Sequence, residues 1–509
     1  MKRNFILLLG SLVATCHVQA QSHFIKDSLD AYIQREMKRW NLPGLALAVV
    51  KDGKVVSMKG YGLADVEHKT ACTEKTVFQI ASNSKAFTGT SLALLEHYKR
   101  LALNEPVKRY LPYFSLQEEW RGKQATIADL LCHRLGYATF QTDLINWAST
   151  KTRRELIENM ANVTLAHGFR ETFGYCNVGY LAAGEIVKAA SDTTWDDYIR
   201  YHYFQPLEMT QSQTTYQALM NTPKEHLSRA YTLVNGKIEE LVPANVDNLA
   251  PAAGISSSVS DLSHWLLMQL QHGMYAGKQV IPEAVIDRTR ESFFIDEPQS
   301  RPGSNFNTYG LGWFLKDAYG KKVVTHDGGA NGFLSKTVLI PEQQAGFVIL
   351  TNSDAQYFYE ALGKVLTDDL LGRPYTDYSR LYYSYFQKNR QEEQASIDAL
   401  ENSAKRYKAA KDAYTKLAGL YTNPVYGQIA VEAKEREAEV SFQFHPQYKG
   451  RLRLISDSTA LIDYNDPTLG THEVHYTASS LDIKVSDFLD MDIYPFTKIG
   501  SVFKPFPAK

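Results

Sequence analysis

Ser82 and Lys85 stand three residues apart in the run Ala81-Ser82-Asn83-Ser84-Lys85-Ala86-Phe87, which opens an apolar stretch through Leu92, Leu94 and Leu95. Residues i and i+3 share a helix face, so on a helix the Lys85 amine reaches the Ser82 hydroxyl. Free N–H groups and the helix dipole favour negative charge at such a helix start. A desolvated lysine takes up protons near neutral pH, and a serine beside it becomes a nucleophile able to form an acyl-enzyme. By itself the spacing is weak. Ser-x-x-Lys recurs from Ser501 to Lys504, and a serine at a helix start is more often an N-cap than a nucleophile.

Two further groups could complete such chemistry. Tyr175-Cys176-Asn177 follows Gly174 and precedes the apolar stretch Gly179-Tyr180-Leu181-Ala182-Ala183, which places it on a loop entering a helix. Tyr175 could act as a base if lysine-type cations lower its pKa, and Asn177 could hold the Lys85 ammonium or a substrate amide. Tyr421-Thr422-Asn423 has the same form, and buried tyrosines usually serve packing. His326-Asp327-Gly328-Gly329 ends the strand-like run Val323-Val324-Thr325. A lone histidine after a strand is usually structural, yet His326 suits proton transfer or a hydrogen bond to substrate. The glycines behind it, Gly328 and Gly329, allow close backbone approach and suit an oxyanion-hole donor.

The surrounding pattern predicts how these residues are held. Leu29, Tyr32, Ile33, Met37 and Trp40 recur at helical spacing, and Pro43-Gly44 ends that helix before the buried run Leu45 to Val50. Lys51-Asp52-Gly53-Lys54 is a tight turn into Val55 to Tyr61, an antiparallel hairpin. Strand-like runs return at Leu311 to Phe314, Val323 to Thr325, Lys336 to Ile340 and Gly346 to Thr351, and these complete the same sheet. Val77 to Ile80 reads as a short strand, and roughly residues 90 to 300 read as a mainly helical lobe inserted between the two sheet halves. From Asp377 to Tyr414 the chain is charged and helix-favouring, a connector. Beyond Leu417 the pattern turns to period two, in Ile429 and Val431, Val440, Phe442 and Phe444, then Leu452 and Leu454, a small all-β domain.

Ser-x-x-Lys, Tyr-x-Asn and His-x-Gly in that order are far more specific together than apart. With Leu130-Leu131-Cys132-His133-Arg134-Leu135-Gly136, Pro251-Ala252-Ala253-Gly254-Ile255-Ser256-Ser257, Asp261, Trp265 and Tyr309-Gly310-Leu311-Gly312-Trp313, the sequence resembles the serine β-lactamase-related family. Its class C, D-aminopeptidase and esterase-like branch is the nearest, over roughly residues 24 to 375. The resemblance implies an α+β fold with an antiparallel sheet flanked by helices and an inserted helical lobe. It implies Ser82 as nucleophile, Lys85 and Tyr175 as the acid–base pair, and Asn177 as a lysine and substrate contact. His326 and Gly328 belong to a third motif on a sheet-edge strand, and the N–H groups of Ser82 and Gly329 form the oxyanion hole. One departure matters: many relatives place Lys-Thr-Gly where this chain has His326-Asp327-Gly328, so the fixed cation for a β-lactam carboxylate is missing. Leu417-Ala418-Gly419-Leu420-Tyr421 and Tyr426-Gly427 resemble the start of a lipocalin-like β-barrel appended to some of these hydrolases.

Composition bounds the rest. The 509 residues are 44% apolar with a formal net charge of −1, which supports large cores and lacks the basic excess of a nucleic-acid surface. Lys2 and Arg3, the apolar run Phe5 to Ala14 and Val18-Gln19-Ala20 read as a signal peptide over residues 1–20. Cys16 after Val13-Ala14-Thr15 is the alternative, a lipid-anchored lipoprotein. No stretch reaches the roughly 20 apolar residues of a membrane helix, so the expectation is a periplasmic or secreted protein. Cys72, Cys132 and Cys176 remain, an odd number that allows one disulfide at most. Gly-x-Gly-x-x-Gly, Walker A, His-Glu-x-x-His and Cys-x-x-Cys are absent, which leaves no support for a nucleotide cofactor or a zinc ion.

The sequence is therefore divided into a signal peptide (1–20), a serine hydrolase domain (21–376), a helical connector (377–414) and a small β domain (415–509). The expected function is hydrolysis of small amides, peptides or esters through a Ser82 acyl-enzyme, without metal or cofactor. A β-lactamase or penicillin-binding protein, and a non-catalytic binding or sensor protein, are the alternatives. The expected partner is a small-molecule or peptide substrate, with self-association left open.

Overall fold

The computed structural model describes residues 24–297, 304–486, 490, 492–500 and 506. The expected signal segment 1–20 with Cys16, and the second Ser-x-x-Lys at Ser501 and Lys504, lie outside the described residues.

A nine-stranded antiparallel sheet organises the first three quarters of the chain. Its strands are β1 (Gly44–Lys51), β2 (Lys54–Asp65), β3 (Thr70–Ala71), β4 (Phe294–Glu297), β5 (Asn307–Tyr309), β6 (Phe314–Ala318), β7 (Lys321–Ala330), β8 (Phe333–Ile340) and β9 (Ala345–Thr351), in the order β4-β5-β6-β7-β8-β9-β1-β2-β3. The expected hairpin forms, with Asp52 and Gly53 both at positive φ, 51° and 72°, as a two-residue turn matched to strand twist requires. β1 is buried on both faces. Leu45, Leu47 and Val49 pack among residues of the helices Leu29–Trp40 and Phe358–Leu370. Ala46, Ala48 and Val50 join the other core, which holds Leu262 and Leu266 of the Val259–Leu270 helix. Period two therefore shows only as which core each residue joins. Between β3 and β4 lies the inserted, mainly helical lobe, including the helices Ser84–His97 and Asn177–Ser191.

Two sheet readings need correction. Leu311 to Trp313 is a loop and only Phe314 of that run is in a strand, with β5 ending at Tyr309 and β6 beginning at Phe314. Gly312 has φ +83°, and a Cβ there would lie 2.4 Å from the Lys85 carbonyl oxygen, so this glycine loop is the surface against which the Ser84–His97 helix packs. Conversely, the strand does not stop at Thr325: β7 runs through His326, Gly328 and Gly329 to Ala330.

The helix Tyr378–Arg406 leads into a closed eight-stranded barrel running from Gly419–Asn423 to Ile493–Gly500. Ile429, Val431, Val440, Phe442, Leu452 and Leu454 are buried, as their alternation predicts, whereas Phe444 falls between strands. Tyr421 is a packing residue, its hydroxyl donating to the Leu417 carbonyl at 2.7 Å. The barrel docks on residues 142 to 150 of the helical lobe. His445 Nε2 lies 2.9 and 3.1 Å from the carbonyls of Leu144 and Trp147, and Thr150 N–H donates to the Phe444 carbonyl at 2.9 Å. Cys72, Cys132 and Cys176 are all free thiols and buried. No described helix is long and apolar enough to cross a membrane.

Candidate active site

Ser82 sits in a single 3-10 turn, Ala81–Asn83, between the short strand Phe78–Gln79 and the Ser84–His97 helix. Ala81 has φ +45°, a left-handed conformation that costs a non-glycine residue about 1 kcal/mol. The surroundings hold it there: Ile80 N–H donates to the Ile255 carbonyl at 3.0 Å, and Ser84 Oγ donates to the Ala81 carbonyl at 2.6 Å while accepting from Ile255 N–H at 3.0 Å. The Pro251-to-Ser257 run thus braces the turn. Ser82 remains partly exposed in the midst of buried neighbours.

Lys85 is fully buried. Its Nζ lies 3.0 Å from Ser82 Oγ, 2.5 Å from Asn177 Oδ1 and 2.9 Å from the Ala252 carbonyl oxygen. An amide oxygen and a carbonyl oxygen can only accept. A neutral amine has two N–H bonds and one lone pair, so once Asn177 and Ala252 take both hydrogens, the lone pair is left for the Ser82 hydroxyl. Burial drives the lysine pKa down to about 7, against the opposing pull of Asp143 and Cys176, so the neutral form is accessible at physiological pH.

Tyr175 and Asn177 flank the same centre. The Lys85 ammonium position lies 4.8 Å from the Tyr175 ring centroid, and a hydrogen bond to Ser82 acts on the phenol. Burial outweighs that bond and raises the Tyr175 pKa well above its usual range. The lowering expected from the sequence does not arise, because desolvation, with Asp143 and Asp327 adding to it, outweighs the Ser82 hydrogen bond, and Tyr175 stays a protonated phenol. Asn177 opens its helix, and its Nδ2 donates to the Asp143 carboxylate, which leaves Oδ1 towards Lys85.

His326 is 1% exposed, with both nitrogens engaged. Nδ1 donates to the Asp327 carbonyl at 2.6 Å, so Nε2 accepts from the Tyr309 hydroxyl at 3.0 Å. Burial takes its pKa down to about 3, and the ring is a neutral wall group, not a cation. Asp327 points away, paired with Lys336 at 2.5 Å. β7 is interior in the sheet, yet its pairing with β6 ends at Thr325 opposite Phe314. Beyond that point only β8 pairs with it, which makes His326 to Ala330 a local edge with unpaired backbone groups. Gly328 presses on the Ser82 turn: a Cβ there would lie 2.2 Å from the Ile80 carbonyl oxygen and 2.4 Å from Ser335 Oγ. Gly328→Ala is therefore expected to cost about 1–3 kcal/mol through overpacking and to slow acylation by displacing β7 from the turn; thermal unfolding and labelling kinetics of the variant check both.

Two contributors carried no role in the sequence. His133 lay inside a quoted run; its ring stacks on Tyr175 at 4.3 Å between centroids and its Nδ1 accepts from Cys176 N–H at 3.0 Å, so it fixes the ring that faces Ser82. Asp143 went unnoticed, since a single acidic residue after Gln141-Thr142 carries no sequence signal. Among the described residues no group of three or more His, Cys, Asp or Glu could hold a metal ion.

Comparison with known proteins identifies the family and the fold. Residues 29–370 match the family described as Beta-lactamase. Protein flp of Staphylococcus aureus (strain MW2) is 29% identical over 339 residues, covering 65% of this chain and 64% of its own. Unguisins hydrolase ungD' of Aspergillus campestris is 27% identical over 358 residues, covering 67% of this chain and 64% of its own. The chain thus spans somewhat less than two thirds of these relatives' length. Among solved structures, the octameric penicillin-binding protein homologue from Pyrococcus abyssi has the same fold, with a TM-score of 0.60 at 20% identity, over 92% of this chain and 99% of its own.

Proposed function

Because this chain belongs to the Beta-lactamase family, we propose that it is an exported serine hydrolase that cleaves small amides, peptides or esters through a Ser82 acyl-enzyme. The observation that carries this reading is the hydrogen-bond set of Lys85, two acceptors and one hydroxyl. Ser82 Oγ attacks the substrate carbonyl carbon while its proton passes to Lys85 Nζ. The oxygen that becomes negative accepts N–H bonds from Ser82 and Gly329. As the carbon–nitrogen or carbon–oxygen bond breaks, the leaving group takes a proton delivered through Tyr175. Water then hydrolyses the ester at Ser82, with the same groups relaying protons in reverse.

His326, neutral and tied on both sides, supplies no charge for a substrate carboxylate, which favours uncharged acyl substrates over β-lactams. A recess of about 1000 Å³, lined by Asn248, Asn331, Tyr448 and Asn465 among others, lies between the helical lobe and the barrel. Asn331 directly follows β7, so this recess lies beside the end of that strand. In this reading residues 21–376 form the catalytic domain, 377–414 the connector and 415–509 an accessory domain.

The test is intact-protein mass after treatment with a fluorophosphonate. One adduct on the peptide containing Ser82 is expected; an adduct elsewhere, or none, overturns the proposal. The rate should also fall on acidification. The reactive form has neutral Lys85, whose pKa is about 7, so activity is lost as pH drops through 7. His326 titrates far below that and Tyr175 far above. Asp143, raised by burial to about 7, titrates in the same range, so acylation rates between pH 5 and 9 should show an acid limb near 7 that belongs to the Lys85–Asp143 pair, and a flat profile would remove Lys85 as the base.

A further inference from the structure

Lys85 contacts Asn177, and Asn177 is itself held from behind. Asp143, in the short helix Asp143–Asn146, is 2% exposed. Its Oδ2 accepts from Asn177 Nδ2, and its Oδ1 accepts from Asn146 Nδ2 at 3.5 Å. A primary amide presents two nearly isosteric ends. A carboxylate that accepts from one end decides which end faces the other way, and here the oxygen faces Lys85. With the amide reversed, an N–H₂ group would meet the amine, and the lysine lone pair would no longer be reserved for Ser82.

The segment bearing Asp143 is short, and its backbone is not set by the helical lobe alone. Thr142, immediately before it, has φ +62°, a conformation that needs outside support. The support comes from the barrel. Thr142 N–H donates to the Tyr494 hydroxyl at 3.2 Å, and that hydroxyl donates to Asp490, at 2.9 and 3.1 Å from its two oxygens. Tyr426 also donates to Asp490, at 2.5 Å. On the other side of Asp143, His445 caps the Leu144 and Trp147 carbonyls, and Gln447 Nε2 donates to the Ala148 carbonyl at 2.8 Å. Trp147 Nε1 donates to Asn331 Oδ1 at 2.8 Å, and Asn331 Nδ2 donates to Thr468 of the barrel at 2.7 Å. Barrel, Asp143 segment and the end of β7 are thus one connected unit.

We infer that Asp143 is a positioning residue of the Ser82 centre, orienting the Asn177 amide towards Lys85, and that the C-terminal barrel keeps Asp143 in place. This rests on the serine hydrolase reading above and extends it outward by two shells: lysine, amide, carboxylate, barrel. The charged and titratable groups around Asp143 are Lys85, Cys176, Tyr175 and Tyr137 on the site side and Asp490 and Tyr426 from the barrel. Lys85 is the cation among them. Burial raises the Asp143 carboxyl to about 7, against the pull of the Asn177 bond and Lys85, so its charge develops over the range in which Lys85 loses its proton. Removing that charge withdraws an interaction that favours the Lys85 ammonium, and the lysine loses its proton at lower pH.

Asp143→Asn tests this, because it preserves shape while removing the charge and the acceptor-only character. Fluorophosphonate labelling and hydrolysis of an activated ester are measured from pH 5 to 9 in the full chain, beside wild type. The expected result is acylation slower by about tenfold or more, expressed in kcat with KM little changed, and an acid limb moved down by about one pH unit. Rates within twofold of wild type with an unmoved limb overturn the inference, and so does a slower rate with an unmoved limb, which would make Asp143 a packing residue only. If Asp143→Asn does not accumulate folded, Tyr494→Phe carries the test. It removes one hydroxyl from the barrel contact, and acylation slowed by about threefold or more is expected; an unchanged rate overturns the barrel's part. Wild type that takes no label at Ser82 removes the hydrolase reading itself, a failure distinct from all of these.

Discussion

Ser82→Ala is expected to lose the fluorophosphonate adduct entirely and to lower kcat for any amide or ester substrate by about four orders of magnitude or more. In the proposed mechanism the side chain removed is the group that bonds to substrate, and the neighbouring described serine cannot replace it. Ser84, two residues on, is fully buried, with its hydroxyl committed to the Ala81 carbonyl and Ile255 N–H. The fold should be untouched, since Ser82 Oγ bonds only within the cleft, to Lys85 and Tyr175, and is partly exposed. A variant that keeps both its thermal midpoint and its capacity to bind substrate, without turnover, is the expected outcome. Residual hydrolysis above about one part in a thousand of wild type would place the nucleophile elsewhere.

Lys85→Met should have nearly as large an effect on rate and the opposite effect on stability. Without the amine, nothing in reach of Ser82 Oγ is both basic and unprotonated at pH 7, since Tyr175 is a phenol held protonated by burial. A fall in acylation rate of about a thousandfold is expected, and Lys85→Arg should be as inert, because a guanidinium does not release its proton. For stability, the sign follows from the two pKa values. In the unfolded chain the lysine titrates at 10.5 and in the folded protein at about 7, so between these pH values the unfolded state holds more protons and stability rises with pH. Below pH 7 the folded protein bears the full cost of burying this group. Methionine has similar length and no charge, so the thermal midpoint of Lys85→Met at pH 7 is expected at or above that of wild type. A midpoint lower by several degrees would show that the buried ammonium supports the fold.

Much of the site was readable because the chemistry sits in short-range patterns. Ser82 lies in the 3-10 turn that leads into the helix of Lys85 rather than on that helix itself, Tyr175 and Asn177 flank a helix start, and His326 and the glycines lie on one strand. Each needs only local structure to be placed, and their order along the chain supplied the specificity each lacked alone. The errors were of one kind. The Leu311-to-Phe314 run looks like a strand by composition, but what sets its first three residues is Gly312 against the Lys85 carbonyl, a contact across more than 200 residues. Tyr175 was expected to lose its proton more readily, yet its pKa depends on how completely the helical lobe, Phe140 and His133 enclose it. His326 was read as available to substrate, and the Tyr309 hydroxyl and its own neighbour's carbonyl occupy both nitrogens.

The sequence by itself determined the family, the antiparallel sheet and the β-rich C-terminal region, and it singled out Ser82 and Lys85 as candidates, because helical and strand periodicities and fixed motif spacings are properties of neighbours in the chain. The tertiary structure alone decided protonation and orientation: that burial brings the Lys85 pKa down to about 7, that Asn177 presents its oxygen, that both His326 nitrogens are engaged, and that the barrel bonds to Thr142 beside Asp143. Those properties depend on which distant groups surround a side chain and how much water they exclude, and neither is encoded in local spacing.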